Sequence, residues 1–266
     1  MAEDEIDEEP SVPLAIQVRA MAREAVAATR YLLLGRRPGL DLEEVARGGA
    51  FFPVLGLLLG ALAVVLVRGL EGVVGTDDTA LVAVLVLTGL TTATLPRGLA
   101  GTVALAFSPR ASIETGESPM AARAAGVAAA GATTWVKWWA LSVTPPEALS
   151  LSLPLALMLG RWAFVVQAYG SRSARADGVG AVFPRAMQFR EFGIASVSSM
   201  ALTLILANAI GLILILWTAT QTITLRILVH RRAGGVGERS LAAGAELAEV
   251  STLLLCAGLA RAILAG

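Results

Sequence analysis

The chain has 266 residues, 56% of them apolar, and a mean hydropathy of +0.71. That is too apolar for an ordinary soluble domain and points to an integral membrane protein. The formal charge is zero, but six of the 21 carboxylates are Glu3, Asp4, Glu5, Asp7, Glu8 and Glu9, which leaves 15 against 21 bases in the rest of the chain. One cysteine, Cys256, and one histidine, His230, exclude a disulfide framework, a Cys/His zinc site, a CxxC redox pair and a CxxCH haem site. A serine triad would depend on His230, flanked by Arg231 and Arg232, and is not expected. The bases are scattered between apolar segments rather than gathered in a stripe, which argues against a nucleic-acid partner.

Residues 1–12 read as an acidic, disordered tail, and the absence of an apolar run behind a basic start argues against a secretory signal. Residues 13–50 read as an amphipathic, cytoplasmic lead-in. From Pro13 to Leu34, apolar residues alternate with Arg19, Arg23 and Arg30, which suits either a helix lying in the membrane interface or one packed on the membrane body. The Glu43, Glu44 and Arg47 group reads as ordinary side-chain pairing along one helix.

Residues 51–266 read as a single all-α, polytopic helical bundle with about seven transmembrane spans. Phe51–Val67 is the first span, with Gly56-x-x-x-Gly60 available for close helix contact. Thr79–Leu95 is the second, followed by a Gly-broken apolar stretch, Gly98–Phe107, and a polar loop. Ala121–Thr144 is the third, where Trp135, Lys137, Trp138 and Trp139 look like an interfacial anchor. The fourth runs from about Ala148 to Tyr169 and contains Pro154 and Arg161. Phe192–Val229 has no charge before Arg226, is too long for one span and is just enough for two joined near Asn208–Gly211. Leu241–Leu264 is the last and carries Glu246 and Glu249. The basic loops all fall on one side if Phe192–Val229 crosses twice, whereas Glu71–Asp78 and Pro145–Glu147 contain no base. This predicts a multi-pass protein of the inner (cytoplasmic) membrane, in contact with the lipid bilayer, with its N-terminus in the cytoplasm.

Three blocks of sequence resemble a known family. They are Gly39-Leu-Asp41-Leu-Glu43 with Arg47-Gly48 and Phe52-Pro53 through Gly60; Gly160-Arg161 with Ala174-Arg175-Ala-Asp177-Gly178-Val-Gly180 through Phe183; and Gly234-Gly235 through Glu246-Leu-Ala-Glu249. In order and spacing they resemble the cobalamin synthases, membrane enzymes that join adenosylcobinamide-GDP to α-ribazole or its phosphate and release GMP. The resemblance spans residues 39–266.

The departures from the family pattern concern its metal. Members carry an acidic motif, His-Leu-Asp-Gly-Leu-Ala-Asp-Thr-x-Asp-Gly, after the second span. Here the aligned residues read Leu95-Pro96-Arg97-Gly98-Leu99-Ala100-Gly101-Thr102-Val103-Ala104-Leu105. Arg97, Gly101 and Ala104 stand where the family has aspartates. A second family segment with an Asp-Ser-Arg core corresponds to Ala122-Arg123-Ala124, and a Gly-Asp pair before the last helix corresponds to Glu238-Arg239. The family's Mg²⁺ neutralises phosphate charge while bridging carboxylates and phosphate oxygens, and it needs oxygen ligands. No catalytic residue of the motif is intact, and the metal ligands are unknown. Glu114 and Glu117 are the nearest downstream carboxylates.

Ionisable groups at membrane depth are costly, which makes Glu246, Glu249 and Arg161 ligand-binding candidates around a shared polar space. Arg175, Asp177, Gly178 and Gly180, in the block that resembles the family's post-span loop, are further ligand-binding candidates: Asp177 beside the two glycines suits either a phosphate-facing turn or a plain loop acid. Three functions stay open. One is a catalytically impaired or inactive family member that binds a corrinoid or nucleotide-like ligand, or assembles as a homo-oligomer or with an active member, and needs no cofactor. A second is an active transferase with Mg²⁺ at a displaced site. The third is a small-molecule carrier, for which an inverted repeat is expected and none is visible.

Overall fold

The computed structural model describes residues 14–35, 38–74, 79–91, 94–108 and 118–265; the acidic tail, the tip of the Glu71–Asp78 loop, Glu114 and Glu117 lie outside this set. Its elements are α1 (Leu14–Leu34), α2 (Leu42–Arg47), a 3-10 turn (Gly48–Phe51), α3 (Phe52–Val74), α4 (Thr79–Leu90) and α5 (Thr94–Phe107). They continue with α6 (Met120–Val143), α7 (Pro146–Ala168), α8 (Val179–Ala186), α9 (Phe189–Ala233) and α10 (Glu238–Ala265). Among the described residues, four helices are long and apolar enough to cross a membrane, or five if α4 and α5 together form one bent span.

The most buried of the long helices is α7: 83% of its apolar window is inside the protein, against 39% for the Leu42–Leu70 stretch that contains most of α3. It contacts α3, α9 and α10 along its length. The approach of α3 is close because Gly56 and Gly60 face it. An added Cβ would stand 2.6 Å from the Leu157 carbonyl oxygen at Gly56 and 2.4 Å from Pro154 Cα at Gly60. Small residues at this spacing let two backbones meet directly, as the sequence pattern predicts.

One stretch differs from the sequence expectation. The second span ends at Leu90, not Leu95, and the Gly-broken stretch beyond it is a full helix, α5, set at 81° to α4. The glycines of α5 and its neighbour serve packing: an added Cβ at Gly98 would meet Ala242 Cβ at 2.4 Å, and one at Gly126 would meet the Ala100 oxygen at 2.2 Å. In this way α5 is wedged between α6 and α10. The helical path of α9 is broken at Asn208 (φ 48°, ψ −131°), within the Asn208–Gly211 joint named from the sequence.

The break at Asn208 reverses the chain. An uninterrupted helix would separate Thr203 from Gly211 by about 12 Å, yet an added Gly211 Cβ would lie 2.6 Å from the Thr203 oxygen. Both arms also return to the same end of α7. Trp162 Nε1 donates to Ser196 Oγ (3.1 Å), and Arg226 Nη2 donates to the Gly170 carbonyl (2.7 Å). The tip of the hairpin, around Ala207, Leu214 and Ile215, packs on Leu155, Met158 and Leu159 in the middle of α7.

The lead-in helix α1 is docked through its second half only. Ala27, Ala28 and Glu24 are buried against the body, and Glu24 meets Arg190 at 3.5 Å, while Ile16, Val18 and Met21 stay exposed. Asp41 caps α2 by accepting from the Glu43 amide at 2.9 Å, and the ion pair of Glu43 is with Arg185 at 3.6 Å.

Candidate functional site: an arginine-lined cavity above a buried charge network

The first turns of α5 and α10 meet at a cavity of about 290 Å³. Thr94, Leu95, Arg97 and Gly98 come from α5, Glu238, Arg239, Ala242 and Ala245 from α10, and Arg161 and Phe164 from the C-terminal third of α7. Tyr31, Leu32 and Gly35 at the end of α1, with Phe52 at the start of α3, complete an apolar wall. That wall is rigid because its rings pack on one another. Tyr31 stacks on Phe52 with centroids 6.1 Å apart, Phe52 meets Phe164 at 5.6 Å, and Phe164 meets Phe183 edge-on at 5.2 Å.

Below the cavity lies a network of four charges. Glu246 and Glu249 are one turn apart on α10, and with Arg161 and Lys137 they are buried to 0%, 1%, 3% and 6% exposure respectively. Lys137 Nζ donates to Glu246 Oε2 (2.8 Å) and to Glu249 Oε2 (3.0 Å), and Arg161 Nη1 donates to Glu249 Oε1. Two cations face two carboxylates, so the network is neutral as a whole, which is the condition for charges to persist at low dielectric. One oxygen, Glu246 Oε1, is buried without a partner among the described residues. Gly160 makes room for the network: a Cβ there would come within 2.8 Å of Glu249 Cγ.

Lys137 is a correction to the sequence reading, which places it with the tryptophans at the interface. On α6 it lies about 200° around the helix from Trp135 and Trp139. Those two, with Trp138, are exposed, while Lys137 shares its buried face with Gly126, Ala140 and Leu141. A helical wheel of this segment carries the signal.

The three positions of the altered motif share one face of α5, because residues i, i+4 and i+7 fall within about 60° of each other. Arg97 lines the cavity, Ala104 is buried, and an added Cβ at Gly101 would stand 2.4 Å from Arg239 Cδ and 3.1 Å from its Nε. The Arg239 side chain therefore covers the place that an aspartate at 101 would occupy. These lining residues do not suit Mg²⁺. Among the described residues, the cavity presents three arginines and one carboxylate, Glu238, and no three His, Cys, Asp or Glu side chains are grouped to hold a metal.

The remaining candidates lie elsewhere. Arg175 and Asp177 are exposed in the loop after α7 and are not among the residues that line the cavity. That loop is tied to the segment before α10: the Val236 amide donates to the Arg172 carbonyl (2.7 Å), and the Ala174 amide donates to the Val236 carbonyl (2.9 Å). Gly178 precedes α8 with φ 79°, a conformation that favours glycine. Gly180 lets the two segments touch, since a Cβ there would lie 2.5 Å from Gly237 Cα. Arg123 is exposed on α6 and outside the cavity lining.

Comparison with known proteins identifies the family. A family model described as cobalamin-5-phosphate synthase matches residues 28–257. The adenosylcobinamide-GDP ribazoletransferase of Citrobacter koseri is 31% identical over 228 residues, covering 81% of this chain and 90% of that protein. The enzyme of the same name from Escherichia coli strain K12 is 31% identical over 224 residues, with the same coverage. No solved structure matches. The chain is a membrane-helix protein that belongs to the cobalamin-5-phosphate synthase family of transferases.

Proposed function

We propose that this chain is a catalytically impaired or inactive member of its family, which keeps a cavity for a corrinoid or nucleotide-like ligand without the Mg²⁺ chemistry of the transfer. The observation that carries this reading is the occupation of the motif face by Arg97 and, across Gly101, by Arg239. Family members need Mg²⁺ between phosphate oxygens and carboxylates while a hydroxyl displaces GMP. Fixed guanidiniums neutralise phosphate charge, but they neither bind nor activate a hydroxyl nucleophile. Assembly as a homo-oligomer, or as a hetero-oligomer with an active family member, is compatible with the same reading.

The test is GMP release by the purified chain given Mg²⁺, adenosylcobinamide-GDP and α-ribazole. The expected result is release at background. Turnover lost on Glu114→Ala or Glu117→Ala would contradict it and assign the metal to the downstream loop. Combined Arg97→Asp, Gly101→Asp and Ala104→Asp substitution is expected to restore metal binding before rate, because a metal site also needs its supporting shell.

The same reading places the chain across the inner membrane about seven times, with the N-terminus and the α5–α10 cavity on the cytoplasmic side. The reversal at Asn208 supports two crossings by α9. In a Cys256→Ser background, a cysteine introduced at Arg231 is expected to resist labelling from outside intact cells; labelling there would contradict this topology.

A further inference from the structure

The charges around the cavity are unevenly matched. Arg161 is committed to Glu249 within the neutral network. Arg97 and Arg239 have no ion pair among those found in the described residues, and Glu238 is the single carboxylate on the same wall. Both arginines also sit in the first turn of a helix that opens on the cavity, α5 and α10. A helix start carries the positive end of the helix dipole, so each adds a partial positive charge to that of the guanidinium beside it.

The position of Arg239 adds a second, independent observation. Its aliphatic stem occupies the space above Gly101, where any side chain would collide with Cδ. A glycine at 101 is thus what seats Arg239 against α5, close to the helix face that carries Arg97. Residue 101 and residue 239 work as a pair, one by being absent as a side chain and the other by filling that space with a cation.

We infer that the cavity binds a phosphate-type anion directly on Arg97 and Arg239, without a divalent cation. This deepens the non-catalytic reading above and rests on it for the absence of metal. The ligand class is a soluble phosphate or diphosphate, free or as the end of a larger molecule. Planar guanidiniums suit this task because each offers parallel N–H donors to two oxygens, and because they stay charged at every physiological pH.

The test is calorimetric titration of inorganic pyrophosphate into the full chain in phosphatidylcholine nanodiscs, with EDTA or with Mg²⁺. Saturable binding in EDTA is expected, in pyrophosphate free of bound metal, and it should weaken as salt is raised. Arg97→Ala and Arg239→Ala should each lower affinity about tenfold or more, whereas Arg232→Ala, an exposed arginine outside the cavity, should leave it unchanged. Both cavity arginines are exposed, so these variants keep the fold, and their thermal unfolding in the absence of pyrophosphate provides the control. Gly101→Asp should also weaken binding, because its carboxylate would pair with Arg239. Binding seen only with Mg²⁺, no saturable binding in EDTA, or affinity indifferent to both arginines would overturn the inference. Loss of pyrophosphate binding when phosphatidic acid is added to the nanodiscs would overturn the soluble source and assign the site to a lipid headgroup. GMP release by the chain would refute the non-catalytic reading, and a missing anion site with no GMP release would refute this inference alone.

Discussion

Two groups of charges lie on the same helix, α10, and differ in how they are balanced. Toward the middle, Glu246 and Glu249 are enclosed and matched by Lys137 and Arg161 from α6 and α7. At the first turn, Arg239 opens on a cavity beside Arg97 with one carboxylate, Glu238, on the wall. Buried charges must be paired or they cost several kcal/mol each, so the inner group holds three helices in one arrangement. An exposed cation that faces a cavity costs the fold little and is left for a ligand. On the proposed reading, the inner group serves stability and the outer group serves recognition.

The inner group should break hardest. Lys137→Met leaves two carboxylates facing one arginine in the bundle, and about 3–5 kcal/mol of stability should be lost, read as a fall in the thermal unfolding midpoint in detergent. Combining it with Glu246→Gln should recover part of that loss, since the second change removes the charge that Lys137 matched. Unchanged unfolding of Lys137→Met would show that the network does not hold the helices.

The next effect concerns the seat of the outer group. Gly126→Ala puts a Cβ against the Ala100 carbonyl oxygen, at 2.2 Å before relaxation, and backbone cannot yield as a side-chain tip can. It should cost about 1–3 kcal/mol and should loosen α5, which hydrogen exchange of the α5 amides would report. Gly101→Ala meets the flexible stem of Arg239 instead and should cost less, while it pushes the guanidinium away from α5. The smallest effect on stability is expected for Arg97→Ala and Arg239→Ala, within about 0.5 kcal/mol for exposed positions.

Much of this arrangement is readable in the sequence, for physical reasons that differ by region. Long apolar runs mark α3, α7 and the arms of α9 because a bilayer demands length and low polarity, and the Asn208–Gly211 joint is the only polar, glycine-bearing interruption in a 38-residue stretch. Glu246, Glu249 and Arg161 stand out because charge is rare in such runs. The helix α5 is less readable, since Gly98 and Gly101 disfavour a helix locally and packing between α6 and α10 supports it. The role of Lys137 is masked by its tryptophan neighbours, although its angular position separates it from them. The pairing of Gly101 with Arg239 is not legible at all in one chain, because the two residues are 138 positions apart and neither replacement makes sense alone.

On the proposed reading, the cavity carries guanidiniums where a cobalamin synthase is expected to hold Mg²⁺. Mn²⁺, which shares the oxygen-ligand preference of Mg²⁺, reports this by electron paramagnetic resonance. Titrated into the purified chain at micromolar concentrations, it should keep its free-ion signal, and it should lose that signal stoichiometrically when Arg97→Asp, Gly101→Asp and Ala104→Asp are combined with Arg239→Gly. A tight, one-to-one loss of the free-ion signal with the unmodified chain would contradict the account.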